Sequence, residues 1–181
     1  MAKLISKTYG NALFELAVEE QKIDVFAEEI KEIMQILKAH TQLQQLMKHP
    51  KIVKEEKISI LESIFKGNIQ DELTGFLVLI IMKDRYSEIE HILNYFLEQV
   101  KALKKIGVCN VVTAVELQQE QKSKVEQKLL NTTDFLSMEM NYQVDQSIIG
   151  GMVIRIGDRV VDSSIATKIG EMQKELLKIQ L

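Results

Sequence analysis

Through residue 105 the apolar residues recur at helical spacing with little to interrupt them: three glycines and one proline, Pro50. A chain this poor in turn residues has few places for tight hairpins, which excludes an all-β sandwich or barrel. Near Lys104-Lys105-Ile106-Gly107 the pattern changes. Five glycines fall in residues 106–181, and period-two alternation enters. Two domains are expected, residues 1–105 and 106–181. The apolar share of 46% is enough to bury a core. A net charge of −3 gives no basic footprint for nucleic acid. The lone Cys109 cannot form an internal disulfide. Met1–Tyr9 leads into no apolar segment of signal-peptide length. The longest apolar run, Phe76–Met82, is too short to span a bilayer. The expectation is a soluble protein that meets a membrane only through a partner.

The first part reads as helix after helix. Leu4–Glu20 places Ile5, Tyr9, Ala12, Leu13 and Leu16 at helical spacing. Asp24 is the expected cap of a second helix carrying Phe26, Ile30, Ile33 and Leu37. A short helix around Leu43, Leu46 and Met47 should stop at Pro50. Lys54–Lys66 and Ile69–Lys83 flank the turn signal Gly67-Asn68. Ser87 and Glu90 form a capping-box pattern before a helix bearing Ile89, Ile92, Leu93, Phe96, Val100 and Leu103.

The second part mixes periods. Val108–Val115 reads as a strand and Glu116–Leu130 as a helix. Phe135–Val144 alternates as a strand. Gly157-Asp158 between two apolar runs is a hairpin signal. Asp162-Ser163-Ser164 offers caps for a last helix with Ile165, Ile169, Met172 and Leu176 at helical spacing.

Catalytic chemistry is missing from this pattern. His40, His49 and His91 have no partners at metal-ligand spacing, so no metal site is expected. No nucleotide-binding glycine motif occurs, so no cofactor is expected. Gly150-Gly151 and Gly157 could suggest a phosphate loop, but the Met-Val-Ile-Arg-Ile between them reads as a strand. Ser163-Ser164 has no accompanying base, and capping suits it better. Arg155 and Arg159 straddle the hairpin turn as a solvated edge.

The oddity is Phe76–Met82, which as a helix is apolar nearly all round. Phe76, Leu77, Ile80 and Ile81 can face a bundle core, while Val78, Leu79 and Met82 point elsewhere. The surplus face either lines a groove for a partner helix or is buried in a central helix. Gly10, Ala12 and Ala17 on the first helix would permit close approach, by a partner or within the bundle.

Ser6-Lys7-Thr8-Tyr9-Gly10-Asn11-Ala12-Leu13-Phe14-Glu15-Leu16-Ala17 resembles the opening of the delta subunits of F-type ATP synthases, with Gly10 in place of an alanine. The stretch from Val144 to Ser164, with its Gly150-Gly151, Gly157-Asp158 and Asp162-Ser163-Ser164, is similar to the same family's C-terminal signature. Gln118 departs from the serine cap common there, which predicts a frayed helix start. The resemblance implies a mainly α fold: a six-helix bundle followed by a small α/β domain. It also implies a non-catalytic stator joining the catalytic head to the peripheral stalk on the cytoplasmic face of a bacterial membrane, or its organelle equivalent. The bundle would hold the N-terminal helix of an alpha subunit between its first and fifth helices. The residues nominated there are Tyr9, Ala12, Phe76, Leu79 and Met82. The C-terminal domain would hold the b subunit, with Ile165, Ile169, Met172 and Leu176 nominated, unless these pack on their own sheet. A generic helical adaptor and a small enzyme stay open as alternatives.

Overall fold

The computed structural model describes residues 2–49 and 51–179. The chain divides into two compact units, residues 1–100 and 101–181. In the first, α1 (Ala2–Glu19), α2 (Ile23–Ala39), α3 (Thr41–Lys48), α4 (Lys54–Phe65) and α5 (Asp71–Met82) follow in order. A 3-10 turn at Tyr86–Glu88 leads into α6 (Ile89–Leu103), which carries the chain into the second unit. Helix α3 stops at Lys48; Pro50, the expected stop, lies outside the described residues.

One core serves all six helices. Leu13, Phe26, Ile30, Ile33, Leu73, Leu77, Ile80, Ile92, Leu93 and Phe96 are almost fully buried in it. Phe14 meets Phe96 edge-to-face, the geometry that ring quadrupoles favour, with centroids 6.2 Å apart. Two expected caps do not form. Asp24 lies inside the first turn of α2, and Lys22 occupies the position before the helix. Ser87 falls within the 3-10 turn, and Glu90 accepts instead from Gln44 Nε2 at 2.9 Å. At Glu90 a tertiary contact takes the place of the local capping interaction.

The second unit is built on β1 (Ile106–Thr113), α7 (Gln119–Thr132), β2 (Ser137–Val144), β3 (Met152–Ile156), β4 (Arg159–Asp162) and α8 (Ile165–Ile179). A 3-10 turn, Gln146–Ile148, precedes β3. The sheet order is β2-β1-β3-β4. Strands β1 and β2 are parallel, with α7 as the crossover that parallel strands require. Strands β3 and β4 form the expected hairpin, closing with Ile156 opposite Arg159. Register places Met140, Cys109 and Ile156 in one row, and Tyr142, Val111 and Ile154 in the next. Val125, Leu129 and Leu130 of α7 pack against this apolar cluster. The row between them, Asn141, Asn110 and Arg155, is polar, and Asn141 donates to Asn110 across the strands at 3.2 Å. Helix α7 begins at Gln119, later than the expected Glu116. The Gln121 side chain accepts the Gln118 N–H at 2.9 Å, so that start is tied down.

Candidate partner-binding surfaces

Helix α5 divides its apolar residues between two environments. Leu73, Leu77, Ile80 and Ile81 are buried, while Leu79 is 42% and Met82 59% exposed. Phe76 and Val78 are half-buried and pack against the core. Phe76 therefore spends part of its ring inside the bundle. Gly75 adds open space on the outer side, because a Cβ there would meet nothing within 4 Å.

Helix α1 has a matching half-buried row. Ile5, Tyr9 and Leu16 pack partly against the core, and Ala12 on the same stripe is exposed. The small residues around it have different uses. Ala17 is fully buried. A Cβ on Gly10 would come within 2.5 Å of the Tyr95 ring on α6. Close packing inside the bundle explains Gly10, and only Ala12 of the three lies on the outer side.

The ends of α5 are held by side chains from elsewhere. The Gln70 N–H, ahead of the helix, donates to Glu29 of α2 at 2.9 Å. Lys22 donates to Glu72 in the first turn at 2.8 Å. That hydrogen bond holds the Glu72 carboxyl below its usual range and raises the Lys22 ammonium. At the other end Lys54 Nζ donates to the Met82 carbonyl at 3.0 Å and pairs with Asp84. None of these partners is near in sequence, so no local signal announces them.

Helix α8 is exposed along most of its described length. Its first turn is well anchored. Ser164 Oγ accepts the Thr167 N–H at 3.2 Å, and Asp162 accepts the Ser164 N–H and the Thr167 hydroxyl, each at 2.8 Å. The Ser164 bonds, followed by that from Thr167, hold the Asp162 carboxyl below its usual range. Gly151 has φ +77°, and a Cβ there would lie 2.4 Å from the Ser163 carbonyl oxygen. A Cβ on Gly150 would meet Ile165 at 2.7 Å. The glycine pair thus gives the start of α8 its seat. Beyond the seat the apolar face stands open: Ile165 is 44%, Ile169 53%, Met172 63%, Leu176 64% and Leu177 57% exposed. These side chains do not pack into the unit's own apolar cluster. Leu177, absent from the nominated set, extends the stripe.

Two cavities beside Tyr86 hold about 10 Å³ each, space for one water. Ligand pockets typically reach roughly 300–1,000 Å³. Burial pushes the Tyr86 phenol up to about 12 and the Cys109 thiol above its usual range. Among the described residues no cluster of metal-ligating side chains occurs. No helix among them is long and apolar enough to cross a membrane.

Two compact units, each with an uncovered apolar helix face, define a docking protein of the connector class. The family model for the ATP synthase delta (OSCP) subunit matches residues 5–176. The chain is 53% identical to the ATP synthase subunit delta of Lachnoclostridium phytofermentans, over the full length of both. It is 34% identical to that of Alkaliphilus oremlandii, with 99% of each chain covered. Its fold matches a chain in the mitochondrial ATP synthase hexamer of Toxoplasma gondii with a TM-score of 0.67. That match has 17% identity and covers 95% of this chain and 97% of that one. The chain belongs to the ATP synthase delta (OSCP) subunit family. It is a non-catalytic stator component of the synthase's peripheral stalk.

Proposed function

We propose that the two units are the two joints of this stator. The bundle seats the N-terminal helix of an alpha subunit between α1 and α5, against Tyr9, Ala12, Phe76, Leu79 and Met82. The second unit holds the C-terminal region of the b subunit along Ile165, Ile169, Met172 and Leu176. The observation that carries this reading is the apolar surface left open on α5 and α8, where Leu79, Met82, Ile169, Met172 and Leu176 are each 42–64% exposed. Apolar faces of this kind mark protein contacts.

The mechanism is static. Rotation in the synthase exerts torque on the catalytic head, and the stator must hold the head still through many turnovers. Such joints need slow dissociation more than fast association. An amphipathic helix laid in an apolar groove supplies this through anchors at i, i+3, i+4 and i+7. The assembled position is the cytoplasmic face of the membrane, reached through the complex.

The test is a pull-down from detergent-solubilised membranes with the whole chain as bait. Recovery of alpha, beta and b subunits is expected. Leu79→Asp should lose alpha and beta but keep b, while Ile169→Asp with Met172→Asp should do the reverse. Recovery of none of them by the unaltered chain overturns the reading in favour of an adaptor for another complex.

A further inference from the structure

An ion pair ties the turn between α1 and α2 to the first turn of α5. Lys22 Nζ meets Glu72 Oε1 at 2.8 Å, with each side chain about a third exposed, at 33% and 32%. Lys22 is fixed from its own side as well. Its N–H donates to the Ala17 carbonyl of α1 at 3.0 Å, and its carbonyl accepts from Phe26 of α2 at 2.9 Å. The turn that delivers it contains Gln21 at φ +55°, a left-handed conformation that a non-glycine residue adopts at some cost. Glu29 of α2 adds a second tie to the start of α5 by accepting the Gln70 N–H at 2.9 Å.

A partly exposed ion pair contributes little to global stability. Here it joins the turn that follows α1, the helix of the half-buried Tyr9 stripe, to α5, the helix of the exposed Leu79–Met82 face. We propose that Lys22 and Glu72 are positioning residues, a latch that holds the α1–α2 turn against the start of α5 and so sets the width of the helix-binding groove at one end. This rests on the alpha-subunit reading given above. An apolar groove that admits a helix tolerates little error in width, because dispersion contacts fall away within an ångström. Loss of the latch therefore alters affinity for the docked helix more than it alters folding.

The test uses the full chain and a synthetic peptide of the alpha subunit's N-terminal helix, titrated by calorimetry. Lys22→Met and Glu72→Gln should each weaken binding about tenfold, and the double variant should be no weaker than either alone. Lys22→Arg, which keeps the pair, should stay within about threefold of the unaltered chain. Thermal midpoints should shift by no more than about 2 °C. Unchanged affinity in both single variants overturns the latch and leaves the groove standing. Additive losses, or losses matched by equal destabilisation, also overturn it. Absence of saturable peptide binding by the unaltered chain overturns the groove reading itself.

Discussion

Among the described residues, twenty-one buried ones from the six helices and the 3-10 turn form one core in the first unit, while in the second Cys109, Val111 and Met138 alone are buried in the cluster between sheet and α7. The bundle satisfies most of its apolar residues internally and leaves a few exposed, Leu79 and Met82 of α5 among them. The second unit sends a whole amphipathic helix, α8, outward with its apolar face open. Burying a large apolar side chain is worth roughly 1.5–3 kcal/mol. The bundle has therefore used most of its hydrophobic free energy in folding, whereas α8 keeps its share for a partner. A connector needs both: a body that does not yield and a face that still has affinity to give.

The contrast breaks if the two regions respond alike to substitution. Phe96→Ala in the bundle core should cost about 3–5 kcal/mol in urea unfolding. Ile169→Asp on α8 should stay within about 0.5 kcal/mol, because its side chain is 53% exposed. A large loss at Ile169 would mean that α8 packs within its own unit. Gly151→Ala should destabilise the second unit by about 2 kcal/mol, since it combines a left-handed backbone with contact on the Ser163 carbonyl. Residue-resolved hydrogen exchange should find the loss in residues 150–179 and leave the bundle protected.

The smallest effect sharpens the picture of the α8 seat. The Asp162 carboxyl is held below its usual range, so its anchoring is fully present above the unfolded carboxylate pKa of about 3.9. It is lost only as pH falls through the lower folded value. The Ser164 and Thr167 amide resonances should titrate together in that acid window, and Asp162→Asn should abolish the shared midpoint. Titration at the ordinary aspartate value would remove the bonded cap from the account.

Legibility in the sequence followed the range of the interaction. The periodicity of 76–82 separated Leu77, Ile80 and Ile81, which are buried, from Leu79 and Met82, which are exposed, but it put Val78 on the outer side although Val78 packs partly against the core. The Gly157-Asp158 hairpin and the order of elements in the second unit were equally readable, because turn chemistry and alternation are local. Phe76 was harder, since a large ring at the edge of a stripe can lean either way. Whether the α8 stripe lay on its sheet or in the open was not readable, because both arrangements require the same spacing.

By itself the sequence determined the helices, the strands, the switch of period near residue 106 and the want of catalytic groups. These follow from backbone preference and side-chain alternation within a few residues. Only the tertiary structure decided that Gly10 serves Tyr95, that Gln44 takes Glu90 from its expected capping role, and that Lys22 reaches Glu72 fifty positions away. It also decided that α8 stands uncovered. Those outcomes depend on which surfaces meet, and a one-dimensional pattern carries no measure of distance between segments far apart along the chain.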